Sequence, residues 1–216
     1  QQITSRGHAI LAAPLCFTAA RDGKPIAWAP ASNPETQLQK AGKIVRRYAA
    51  SAPGLALTNT VSMEFDGCVQ LDLAVTAASD ADLTDLGLDV PFSRTIAAYM
   101  AGAKKSGGYR PVSHQWAFES YDTSTSKIWI GDVNAGMQLK ATEGRGSLAE
   151  QGDAVVVSAR LDAALLKAGQ TRHFKYRLLI TPFKPITGAH WTARVGDALN
   201  KEATGRPTIA HIHHSQ

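Results

Sequence analysis

The 216-residue chain predicts an all-β fold, an antiparallel β-sandwich with few short helices. Three observations carry that reading. Apolar and polar residues alternate with period two in several runs, as they do in strands with one buried and one wet face. The runs follow one another at short spacing with Gly, Pro and Asp between them, which is the punctuation of hairpins. No alternation of strand and helix runs through the chain, which sets aside a Rossmann fold or a complete α/β barrel.

In chain order, strands are expected at Ala9–Ala20 and Gln37–Tyr48, then in a hairpin over residues 57–77. Within that hairpin Val61, Met63 and Phe65 share one side, and Val69, Leu71, Leu73 and Val75 form a face opposite Gln70, Asp72, Ala74 and Thr76. The Asp66-Gly67 dipeptide between the two runs favours a tight connection with both residues at positive φ. Further strands are expected at Leu83–Val90, Ser126–Gly131, Ala135–Lys140, Ala154–Arg160 and His173–Thr181, the last with Phe174, Tyr176, Leu178 and Ile180 inward. Gly131 and Gly136 read as the ends of a polar turn between two of these strands. Leu161–Ala168 predicts a helix of two turns stopped by Gly169, and Trp191–Asn200 another. Met100–Ser113, with Gly102, Gly107, Gly108 and Pro111, reads as a long irregular loop of the kind that often carries function. The whole of residues 1–216 reads as a single β-sandwich domain.

Composition bounds the function. Apolar residues make up 44% and charged residues 19%, so the chain is neither disordered nor fibrous. No run approaches the length a membrane helix needs, so no membrane partner is expected. The net charge of +5 raises the question of polyanions. The basic residues are scattered in small groups such as Arg46-Arg47 and Lys104-Lys105 with acids between them, and no basic helix or ribonucleoprotein signature is present, so nucleic acid is not expected as a partner. Cys16 and Cys68 fit no zinc spacing; they read as two buried thiols or as one disulfide between strands. The chain starts at Gln1 without Met or a signal-peptide pattern, which reads as a processed product or a piece of a longer protein.

Few residues suggest chemistry. His211 and His213 share a face if the tail is extended, yet no third ligand follows at a suitable spacing, so neither a metal nor another cofactor is expected. Asp80, Asp82 and Asp85 sit in a polar connector, and Asp132 sits in a turn where an Asp side chain bonds nearby amides. Ser113-His114 lacks the remainder of a triad, and there is no nucleophile elbow or phosphate-binding loop. Aromatics are the better candidates. Tyr109, Trp116, Trp129 and Trp191 lie in or beside turns and strand ends, where a ring can stack on the apolar face of a sugar. Trp129, between Ile128 and Ile130, reads more simply as a sandwich residue, whereas Trp116 after the Gly-rich loop is expected as an exposed platform. The candidate carbohydrate-binding residues are therefore Tyr109 and Trp116, with His213 and His214 of the tail lining the same wall.

Four segments in order resemble one family. They are Leu11-Ala12-Ala13-Pro14; Tyr99-Met100-Ala101-Gly102 with Gly107-Gly108-Tyr109-Arg110-Pro111; the hairpin Trp129 to Gln138; and Thr181-Pro182-Phe183-Lys184-Pro185-Ile186. Together they resemble the N-terminal domain of family 123-like glycoside hydrolases. The resemblance implies a β-sandwich placed before an α/β-barrel. In characterised relatives the barrel removes β-linked N-acetylgalactosamine, with the substrate's acetamido group as nucleophile and an Asp-Glu pair assisting. No segment here matches that pair, so no catalytic residue is carried over.

The resemblance thus implies a non-catalytic domain from a secreted or periplasmic bacterial enzyme. It would brace a catalytic barrel and contribute to the sugar site through the Met100–Trp116 loop or the His tail. Two other classes remain open on sequence: a free-standing carbohydrate-binding module, and a metal-dependent enzyme complete in this chain.

Overall fold

The computed structural model describes residues 3–182 apart from 32 and 123, all within one unit, Gln1–Phe183. Strands β1 (Thr4–Ser5) and β2 (His8–Ala9) form a small hairpin of their own. They are followed by β3 (Cys16–Arg21), β4 (Lys24–Pro25), β5 (Ala29–Pro30), β6 (Glu35–Lys40), β7 (Lys43–Ala52), β8 (Leu55–Glu64) and β9 (Cys68–Ala77). The middle of the chain supplies β10 (Ala81–Ser93), β11 (Tyr99–Gly102), β12 (Ser113–Ala117), β13 (Lys127–Gly131) and β14 (Gly136–Ala141). The last strands are β15 (Arg145–Gln151), β16 (Ala154–Arg160), β17 (Ala164–Leu166) and β18 (Thr171–Thr181).

Two antiparallel sheets result. The larger has nine strands in the order β11-β13-β14-β18-β9-β8-β7-β5, with β6 also on β7. The smaller has seven, ordered β12-β15-β16-β10-β3-β4, with β17 also on β10. The all-β sandwich expected from the alternation is what the chain forms. Val69, Leu71, Leu73 and Val75 of β9 and Phe174, Tyr176, Leu178 and Ile180 of β18 are all buried. They pack against Leu83, Leu88, Val90 and Phe92 of β10 and Val155 and Val157 of β16 in one continuous core. Each fully buried apolar side chain of this kind contributes about 1.5–3 kcal/mol.

Several sequence expectations need correction. Gln37–Tyr48 is a hairpin rather than one strand: β6 and β7 pair antiparallel across Ala41-Gly42, where Gly42 takes φ +92°. In the 57–77 hairpin only Gly67 has positive φ, at +81°, and the connection includes Phe65. Asp66 instead accepts the amide of Cys68 at 2.9 Å, a side chain closing its own turn. Ala9–Ala20 is interrupted around Pro14, which supplies no donor to a ladder. Leu161–Ala168 is not a helix; Ala164–Leu166 forms β17 on β10, and no helix occurs among the described residues. The Leu residues of that segment find partners at a sheet edge, so tertiary pairing overrides helix propensity there. Trp191–Asn200 lies outside the described residues. Both cysteines are free rather than bonded; Cys16 is exposed and Cys68 half-buried.

Candidate functional site

A concavity opens between the inner faces of the two sheets. On the inner face of the large sheet Met63 and Val61 of β8 stand beside Val69 and Leu71 of β9, register partners pointing the same way. Phe17 and Leu88 of the small sheet close the opposite wall. Between them is a pocket of about 510 Å³ with mainly apolar walls. At this end of the sheet Met63 is 43% exposed and Phe65, in the turn after β8, 83% exposed, unlike the buried β9 stripe. Polar groups enter the wall at Tyr48 and Asn59, themselves cross-strand partners. Asn59 Oδ1 is buried without a hydrogen-bond partner among the described residues, as is Arg46 Nε on the same face of β7. A buried donor or acceptor left unpaired costs about 1–3 kcal/mol, so both groups favour a polar partner at this wall.

The outer face of the large sheet carries a second arrangement. Trp129 on β13 is half-buried, and its ring lies flat on Gly131 and Gly136. A Cβ at either glycine would fall 2.5 Å from Trp129 Cζ2. Neither glycine has positive φ, and a Cβ at Gly131 would also fall 2.6 Å from Ala135 O, so both are required by the close approach of the indole and the neighbouring backbone rather than by their own torsions. Asp132 does make the turn: its Oδ1 accepts the amides of Asn134 at 2.7 Å and Ala135 at 2.8 Å. Burial pushes the Asp132 carboxyl up, but those amide bonds outweigh it and hold the group below its ordinary value. Tyr99 lies on edge strand β11 opposite Gly131. Its ring centroid is 5.0 Å from that of Tyr109, which is 84% exposed. A hydrogen bond between the two phenols raises the pKa of Tyr99.

The residues expected from sequence are thus scattered. Tyr109 is on the surface, paired with Tyr99. Trp116 is not the exposed platform expected of it. It is 8% exposed and sits on Gly146 of β15, where a Cβ would come within 2.0 Å of its Cε2. His114 stacks on it at 5.6 Å and Phe118 meets it edge-on at 5.4 Å. The alternation Trp116, Phe118 was the signal available for an inward residue, and the preceding glycines obscured it. His213 and His214 lie outside the described residues. The Met100–Ser113 segment is more ordered than expected, with bridges Tyr99↔Tyr109 and Gly102↔Lys105. Arg110 within it donates to Ala97 O and to Glu150 Oε1 at 2.7 Å. His114 Nε2 is 3.0 Å from Ala103 O, and no dyad with Ser113 is recorded. Asp80 is held by Lys167 Nζ at 2.8 Å and the Ala168 amide at 3.0 Å, which lower its pKa. Among the described residues no group of three His, Cys, Asp or Glu side chains is placed to hold a metal ion.

Among solved structures the chain is similar to a galactose mutarotase related enzyme from Lactobacillus acidophilus, with 7% identity, 78% of this chain and 79% of that one covered, and a TM-score of 0.48. A GalM/aldose epimerase homologue from C. elegans gives 9% identity, coverages of 76% and 78%, and a TM-score of 0.47. Heparan sulfate lyase HepC from Pedobacter heparinus gives 9% identity and a TM-score of 0.46 over 76% of this chain but 24% of the lyase. No curated protein matches the chain. The family model described as glycoside hydrolase 123, third domain, matches residues 1–145, which include the Trp129–Gln138 hairpin, the Met100–Trp116 loop and pocket strands β7 to β9. The chain therefore belongs to the glycoside hydrolase 123 third-domain family and is a carbohydrate-related accessory domain of the β-sandwich type.

Proposed function

We propose that this domain is a non-catalytic part of a secreted or periplasmic bacterial glycoside hydrolase that braces a catalytic α/β barrel. The single observation that carries the reading is the pocket on the inner face of the large sheet. An apolar pocket with exposed Met63 in its wall, and with Asn59 Oδ1 lacking a donor among the described residues, suits side chains from an adjoining domain better than a freely dissolved sugar. Membership in a family named for the third domain of a hydrolase supports the reading that adjoining domains exist. Tyr109, exposed on the ordered loop before β12, supplies an aromatic surface on which a sugar ring can stack, apart from the docking face.

The test is thermal. Joined to the barrel of its own enzyme, the domain melts several degrees higher than alone. An unchanged melting temperature counts against bracing.

A further inference from the structure

Reading the cross-strand register over the outer face of the large sheet brings together residues far apart in sequence. Lys127 of β13 is opposite Lys140 of β14, and Lys140 is opposite Arg177 of β18. The neighbouring inward positions Ile128, Leu139 and Leu178 are fully buried, which fixes the three cations on the outer side. None of the three makes an ion pair or side-chain hydrogen bond among the described residues, whereas Arg172 pairs with Glu143 and Lys175 with Asp72 on the same strand. Like charges directly opposite on a sheet are destabilising. A row of three, set about 5 Å apart by strand spacing, is a local cost with no internal compensation.

The next row on the same face is aromatic and amide. Trp129 is opposite Gln138 and Ala101, and one step further along the face Tyr99 of the edge strand lies opposite Gly131 with exposed Tyr109 against it. Trp129 is held flat by Gly131, Gly136 and a hydrogen bond from its indole N–H to Thr181 Oγ1 at 2.9 Å. The indole remains partly exposed, and the Gln138 amide beside it has no protein partner among the described residues. A flat indole, an open amide and phenol hydroxyls suit the apolar face and hydroxyls of a sugar. The adjacent cations span about 10 Å across three strands, matching negative groups carried on successive rings.

We propose that the outer face of the large sheet is a binding site for an anionic glycan, with Trp129 stacking on a sugar ring and Lys127, Lys140 and Arg177 receiving its carboxylates or sulfates. The site rests on the carbohydrate part of the reading above and not on bracing, which uses the opposite face. Its failure would leave the melting test untouched, and the converse holds.

The experiment is affinity electrophoresis of the chain in gels containing polygalacturonate, dextran sulfate, neutral dextran or duplex DNA. Retardation is expected with polygalacturonate or dextran sulfate and not with dextran, and it weakens with added salt. The double variant Lys127→Ala/Lys140→Ala loses about ten-fold or more in affinity, while Lys24→Ala/Lys40→Ala, with the same charge removed elsewhere, stays within about two-fold. Trp129→Ala, checked for a native circular dichroism spectrum, loses affinity with the cationic row intact. Trp129→Phe, which keeps a ring, retains part of it. Equal losses in the two lysine pairs would reduce the effect to net charge and overturn the proposal. So would binding to DNA as tight as to the glycans, binding to dextran alone, or no binding.

Discussion

The indole of Trp129 reaches across β14 at Gly136 and donates to Thr181 Oγ1 on β18 at 2.9 Å. One side chain thereby ties three adjacent strands on the solvent side of the large sheet. The contact needs two glycines beneath the ring, at Gly131 and Gly136, since a Cβ at either would collide with it. Trp116 on Gly146 repeats the arrangement on the other sheet.

Gly136→Ala is expected to lower stability by about 1–3 kcal/mol, because the new methyl displaces the indole from its bed. Thr181→Val, which keeps the shape and removes the acceptor, costs about 0.5–1.5 kcal/mol. Urea unfolding followed by Trp fluorescence measures both. A neutral Gly136→Ala would mean that the ring is not seated on the strand.

Trp116 and Tyr109 separate in the same assay. Trp116→Ala removes a buried ring and costs about 3–5 kcal/mol. Tyr109→Ala, at a site 84% exposed, stays within about 0.5 kcal/mol. The reverse ranking would contradict the placement of both residues.

The fold was legible in the sequence where alternation is strict. The β9 and β18 stripes could be read directly, because the inward residues Val69 to Val75 and Phe174 to Ile180 are apolar and the outward ones, Leu179 apart, are polar or small. Gln37–Tyr48 hid its turn because Ala41-Gly42 carries no polar punctuation. Leu161–Ala168 looked helical because its pairing partner, β10, is remote in sequence. The candidate surfaces were less legible for the same reason. Lys127, Lys140 and Arg177 meet only through register, and Gly131 and Gly136 resemble turn residues until the ring above them is seen.

Acid stability should depend on Glu150. Hydrogen bonding to Arg110, with Arg94 adding charge, holds its carboxyl below the ordinary value of 4.5. A lowered folded-state pKa contributes stability that is present above the unfolded value and is lost as pH falls through the lower folded one. The denaturation midpoint of the native chain therefore falls on acidification below about pH 4.5 more steeply than that of Arg110→Met. Parallel curves for the two would remove this role from Glu150.

Both thiols should titrate in the absence of reductant, and reductant should leave the melting temperature unchanged, since neither cysteine is bonded. Burial pushes the Cys68 thiol up, partly offset by Arg177, so less of it is thiolate at neutral pH. Half-buried Cys68 is expected to react with Ellman's reagent more slowly than exposed Cys16. A single thiol, or none, would contradict the free state.

The claim that the inner face docks a neighbouring domain is tested most directly by Met63→Lys, which places a charge at the mouth of the pocket. In the isolated chain the change should cost no more than about 0.5 kcal/mol, because a residue 43% exposed lets the ammonium reach water. Joined to the barrel, the same substitution should cost about 2 kcal/mol or more, because the charge is then buried at the contact. Equal effects on the melting temperature of the two proteins would contradict the bracing role.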